Sequence, residues 1–220
     1  MQPLSSSLKN WFRFSYLLLI LSLGLQTANA ATLIDDFDDA QEVYSTSQPT
    51  AGSIGIASGL LRSLSISSSG DDDSAEMISG QGALSISSDY GTTTNASIFY
   101  SFGGMNLASS ADSLVFDIGS IDIGTQIRII ANGSSEFLFQ NINLAGQYSA
   151  SLLNFTQPSV FGNLLNLEIQ INSWTNNDLR LDRISTFKTS SVPEPSSLAL
   201  VVLGMLTLSR FKVMPIRVSP

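Results

Sequence analysis

An all-β fold is expected of this chain: a two-sheet β-sandwich, jelly-roll-like in its connections. Apolar and polar residues alternate in short runs between residues 31 and 188, which is how antiparallel strands with one wet face are written. Clusters of Gly, Ser, Asn and Asp separate those runs at spacings of about ten residues, as in sandwiches. No stretch of this region keeps a helical apolar period for three turns.

The runs follow one another along the chain. The first, residues 32–37 (TLIDDF), puts Leu33 and Phe37 on one face and Asp36 and Asp38 on the other if alternation holds. Next come 60–67 (LLRSLSIS), 83–88 (ALSISS), 95–102 (NASIFYSF), 113–118 (SLVFDI), 125–131 (TQIRIIA), 135–140 (SEFLFQ) and 147–153 (QYSASLL). Residues 165–172 (LNLEIQIN) alternate without a fault, every odd position apolar. The last run, 179–187 (LRLDRISTF), breaks period two. Leu181 and Ile184 can both face inward only through a bulge, which would re-aim Asp182. Asp89-Tyr90-Gly91, Asn132-Gly133 and residues 172–178 carry turn chemistry. Phe99, Phe102, Phe116, Phe137 and Phe139 are read as core, and Tyr90 and Tyr100 as flanking a hairpin. The absence of a fixed-period repeat argues against a propeller or solenoid.

Composition removes whole classes of chemistry. There is no cysteine and no histidine in 220 residues, which excludes disulfides, thiolate metal sites, Ser-His-Asp catalysis and histidine-ligated zinc. The full chain carries a net charge of −8. Between residues 31 and 191 there are 17 acidic side chains against 5 basic ones, a net of −12. Nucleic acid is excluded as a partner, because duplex binding needs a basic face. Many carboxylate pairs exist, but no organised motif singles one out, so no catalytic residue is assigned and the chain is read as non-enzymatic.

Both ends read as processing segments. Residues 1–30 place Lys9 and Arg13 before an apolar stretch and close on Ala28-Asn29-Ala30, the order of a secretory signal peptide cleaved after Ala30. At the other end, Pro193-Glu194-Pro195 precedes the apolar run 198–208, and Arg210, Lys212 and Arg217 follow. Cations on the cytoplasmic side would leave the preceding domain outside, with the apolar run as a single membrane span. The expected organisation is a signal peptide over 1–30, a β-sandwich over 31–188, and a linker with sorting tail over 189–220.

The tail resembles the PEP-CTERM sorting domain of exopolysaccharide-producing bacteria, with Pro193, Glu194 and Pro195 as its recognition element and Arg210 and Lys212 in its basic end. That resemblance implies an exported protein, tethered through its C-terminus and then cut by an exosortase to reach the cell surface or the extracellular space. Its role would be structural or adhesive in an exopolysaccharide layer. The opening DDF and the closing LD-x-I, Leu181-Asp182-Arg183-Ile184, resemble the paired terminal strands of jelly-roll carbohydrate-binding modules. This second resemblance implies an extracellular polysaccharide as ligand and calcium held by Asp36, Asp38 and Asp182. The alternative reading of those carboxylates is pairing with Arg180 or Arg183. Trp174 and Tyr90 are the candidate glycan contacts, since sugar faces stack on flat rings. A secreted glycan-active enzyme is the less favoured alternative.

Overall fold

The computed structural model describes residues 31–70, 74–122, 124–173 and 178–189. The expectations for the signal peptide, the sorting tail and Trp174 lie outside these residues. Thirteen strands are present among them: β1 (Leu33–Asp35), β2 (Gln41–Tyr44), β3 (Thr50–Gly55), β4 (Leu61–Ser69), β5 (Ala75–Gly80), β6 (Ala83–Ser88), β7 (Thr93–Met105), β8 (Ser113–Ile121), β9 (Thr125–Ala131), β10 (Ser135–Ile142), β11 (Gly146–Ser151), β12 (Leu164–Ser173) and β13 (Leu179–Phe187). Only short 3-10 turns, at Leu107–Ser109, Leu152–Asn154 and Pro158–Asn163, interrupt them. Among the described residues no helix is long and apolar enough to cross a membrane.

The strands form two antiparallel sheets. The first runs β11-β8-β13-β6-β5-β2, with β1 added beside the far half of β13. The second runs β10-β9-β12-β7-β4-β3. Consecutive strands repeatedly change sheet, as in β4 to β5, β6 to β7 and β8 to β9. This sheet-switching gives the jelly-roll-like sandwich. The unit Ala30–Thr189 has its own core. In the second sheet, Ile127 and Ile129 of β9, Leu167, Ile169 and Ile171 of β12, and Ala96 and Ile98 of β7 face inward. The first sheet answers with Leu84 and Ile86, Leu114, Phe116 and Ile118, and Leu181 and Ile184. Asn132 and Gly133 turn β9 into β10 with φ of 51° and 67°, the pair of left-handed residues that a tight hairpin needs.

Several sequence expectations are corrected here. Phe99 is 39% exposed on the outer face of the second sheet, because Ile98, Tyr100 and Phe102 take the inward parity of β7. Tyr100 flanks no hairpin but is fully buried. Leu33 and Phe37 do not share a face: Leu33 is exposed while Ile34, Asp35 and Phe37 are buried. Alternation fails because β1 ends at Asp35, its pairing with β13 slips between Leu33 and Asp35, and Phe37 adopts φ of 58°.

A buried ion pair accounts for that break. Arg62 takes the same inward parity as Leu64 and Ile66 on β4 and is completely buried. Its Nη1 meets Asp35 Oδ2 at 2.7 Å, with side-chain exposures of 0% and 1%. Nε donates to Gln41 Oε1, and Nη2 to Ser79 Oγ and to the Asp39 carbonyl. The Phe37 ring lies 5.5 Å from the guanidinium carbon, within cation–π range. Asp35 also accepts the Tyr100 hydroxyl at 2.8 Å and the Phe37 amide at 2.8 Å. Burial, then the Asp35 charge and hydrogen bond, raise the Tyr100 pKa well above the usual tyrosine value. A charge removed from water must be matched in this way, since an unpaired one would cost several kcal/mol, about 3–5 in measured cases.

Candidate functional site

β13 positions the site. Between Leu181 and Arg183 its pairing with β8 slips by one residue, so Leu181 and Ile184 are both buried. Asp182 and Arg183 consequently both lie on the outer side of the first sheet. Beyond the bulge the outward parity is Arg183, Ser185 and Phe187. Register brings Asp117 and Val115 of β8 opposite Arg183 and Ser185, Gln147 and Ser149 of β11 opposite those in turn, and Leu33 of β1 opposite Ser185.

Of these, Leu33, Val115, Gln147, Ser149, Arg183, Ser185 and Phe187, together with Ala31 and Thr186, line a groove of about 400 Å³. Its apolar surface comes from Leu33, Val115 and Phe187, of which Phe187 is 52% exposed and Leu33 37%. Polar groups flank it on both sides. Arg183 donates from Nε at 2.8 Å and from Nη2 at 2.5 Å to Asp117 Oδ2, and Gln147 Nε2 donates to Asp117 Oδ1 at 2.9 Å. Burial pushes the Asp117 carboxyl up, but the Gln147 and Arg183 hydrogen bonds and the guanidinium charge hold its pKa below the usual aspartate value. It is a fixed acceptor and a poor proton donor.

Arg183 also borders a second, more open cavity of about 550 Å³, lined by Asp36, Asp38, Gly82, Asp117 and Asp182. The structure therefore brings Asp36, Asp38 and Asp182 to one cavity. Among the described residues no group of three or more carboxylates is placed to hold a metal ion, whereas calcium needs six to eight oxygens. Asp182 Oδ1 accepts Arg180 Nε at 2.6 Å, and its carboxylate lies directly over Gly119, where a Cβ would come within 2.5 Å of Oδ2. Arg183 pairs with Asp117. Asp36 Oδ1 accepts the Asp38 amide at 3.3 Å.

Tyr90 stands apart from both cavities. It is 85% exposed at the turn joining β6 to β7. Ser173 pairs with Thr94, and Ser87 donates to Asp178, so Ser173 and Asp178 lie at the same end of the sandwich. That end abuts the start of β13, where Leu179 pairs with Ile86. The groove lies toward its finish, about 13–26 Å away along an extended strand. Phe187, Gln147 and Leu33 went unmarked in the sequence. The available signal was parity: once Ile184 is inward, Ser185 and Phe187 alternate outward from it.

No protein-family model matches the chain, and no curated protein matches it. Among solved structures it is similar to the family 11 carbohydrate-binding module from Clostridium thermocellum in complex with a β-1,3-1,4-mixed-linked tetrasaccharide, at 11% identity and a TM-score of 0.36, over 72% of this chain and 96% of that one. It is also similar to the family 11 carbohydrate-binding module of a cellulosomal cellulase of Clostridium thermocellum, again at 11% identity and 0.36, over 74% and 97%.

Proposed function

We propose that the sandwich is the glycan-binding module of an exported, non-enzymatic envelope protein. The observation that supports this most is the chemistry of the groove on the outer face of the first sheet. Sugars present apolar C–H faces and a rim of hydroxyls, and the groove offers an aromatic ring and two aliphatic side chains edged by Gln147, Ser149, Ser185 and Arg183. Its volume of about 400 Å³ falls within the range of about 300–1,000 Å³ typical of small-molecule sites. A shallow site with one half-exposed ring recovers little of the cost of association, so a Kd of about 0.1–1 mM per site is expected.

The electrostatics of Asp117 support a reading of binding without hydrolysis. A glycosidase needs a general acid held protonated near neutral pH, usually by burial or by a second carboxylate. Asp117, paired with the groove residue Arg183, is instead stabilised in its ionised form. The tail similar to PEP-CTERM domains extends the reading. The domain would be exported behind its signal peptide, held at the inner membrane, processed by an exosortase, and retained in the exopolysaccharide whose chains it binds.

Affinity electrophoresis through gels containing the producing strain's exopolysaccharide, or a β-1,3-1,4-glucan, tests the proposal. The mature protein should be retarded, and Phe187→Ala and Gln147→Ala should each weaken retardation about 5-fold or more, the loss of a ring contact or of a hydrogen bond. Retardation unchanged in both variants would refute the groove as the site.

A further inference from the structure

The wall of the groove includes Ala31, the residue that cleavage after Ala30 would turn into a chain terminus. In the uncleaved chain its nitrogen is an uncharged peptide N–H. After cleavage it is an α-ammonium, with an ordinary pKa of about 7.7–8.0. We infer that removal of the leader adds a cationic ligand-binding group to the groove, and that the mature groove takes a glycan bearing a carboxylate or a comparable acidic substituent. This inference rests on the glycan reading of the same groove.

The position of Ala31 is held by its neighbours. The Thr32 amide donates to Thr186 Oγ1 at 3.3 Å, the Thr186 amide donates to the Thr32 carbonyl at 2.8 Å, and Leu33 pairs with Ser185. The new ammonium is thus one residue from an anchored strand pair. The charges around it are few. Among the described residues, Arg183, from β13, is the only ionisable side chain lining the groove. Asp117 of β8 lies behind it with both oxygens engaged, by Gln147 and by Arg183. Lys188, just past Phe187, turns away to the Ser109 carbonyl. The groove residues from β8 and β11, Val115, Gln147 and Ser149, carry no charge.

Arg183 keeps further donors for a ligand. Among the described residues only its Nε and Nη2 are committed, both to Asp117, and its side chain is 54% exposed. Two donors that flank an apolar floor suit a sugar ring carrying an acidic group. The acidic cavity on the other side of Arg183, lined by Asp36, Asp38 and Asp182, repels such a group, so the acidic substituent must sit at the Ala31 end. The domain's overall negative charge opposes binding only weakly at that range, because physiological salt screens beyond about 8 Å.

The test compares the chain beginning at Ala31 with the same chain acetylated on the Ala31 nitrogen. Each is titrated calorimetrically with a homopolyuronate oligosaccharide and with a neutral β-glucan oligosaccharide, at pH 6 and pH 9.5. The free-amine chain should bind the uronate about 5-fold more tightly at pH 6 than at pH 9.5, as expected for one exposed charge pair. The acetylated chain should bind it with the weaker affinity at both pH values. Equal uronate binding by the two chains, or binding of the neutral glucan alone, overturns this inference and leaves the glycan reading standing. Failure of both chains to bind either oligosaccharide, or the producing strain's own exopolysaccharide, overturns the two together.

Discussion

Replacing Arg62 by methionine probes the tie between the first strand and the body of the sandwich. Arg62 and Asp35 are buried to 0% and 1% side-chain exposure at 2.7 Å. The substitution removes four donated hydrogen bonds, to Gln41, Asp35, Ser79 and the Asp39 carbonyl. It leaves Asp35 with only the Phe37 amide and the Tyr100 hydroxyl. Breaking one half of a buried pair costs about 3–5 kcal/mol. Against a total stability of about 5–15 kcal/mol for a domain, that is a large fraction. At about 2–4 °C per kcal/mol for a domain of this size, Tm should fall by roughly 6–20 °C. Urea unfolding supplies the free energies. The double variant Asp35→Leu/Arg62→Met should recover much of the loss, because it removes the stranded carboxylate together with its partner. A single variant that unfolds within about 0.5 kcal/mol of the parent, or a double variant whose loss equals the sum of the singles, would refute the reasoning.

Two glycines that forbid a Cβ should differ in cost. At Gly70 the added carbon would meet the Gly91 carbonyl oxygen at 2.6 Å with φ at 152°, so Gly70→Ala should lose about 1–3 kcal/mol in chemical denaturation. At Gly119 the obstacle is a side chain rather than backbone, the Asp182 carboxylate, so Gly119→Ala should cost about 1 kcal/mol or less while breaking the exposed Arg180 pair. Equal losses at the two positions would contradict this. The raised Tyr100 pKa contributes stability below about pH 10, the unfolded value, and that contribution is lost as pH rises toward the folded value. Tyr100→Phe should therefore flatten the alkaline limb of a stability–pH curve. Asp117 works in the opposite sense: its lowered pKa gives stability above pH 3.8 that is lost as pH falls through the folded value, and Arg183→Gln should reduce that acid dependence. Millimolar calcium should move Tm by less than about 1 °C, because Asp182 is already held by Arg180. A clear rise would restore Asp36, Asp38 and Asp182 as ligands.

What was legible in the sequence was whatever period two could express. The run at residues 165–172, inside the strand Leu164–Ser173, announced its inward face, and the separation of Leu181 from Ile184 announced the bulge that sets the outer face of β13. Strands β2, β3 and β5 were not foreseen. QEVY is four residues long, TAGSIG has two glycines and one branched apolar side chain, and AEMISG follows an acidic run. They become strands because neighbours pair with them and not through any pattern of their own. Arg62 had the parity of Leu64 and Ile66 all along, but a cation goes inward only with a partner, and Asp35 is 27 residues away in sequence. The site was missed for a related reason. Leu33, Val115, Gln147 and Phe187 come from four strands, and only the register of β1, β13, β8 and β11 makes them neighbours.

The most direct measurement is an amide chemical-shift titration of the mature domain with oligosaccharides cut from the producing strain's own exopolysaccharide. The groove account predicts shifts clustered at Leu33, Val115, Gln147, Ser185 and Phe187, saturating together. Shifts confined to Tyr90 and Asp178, or none at saturating ligand, would contradict it.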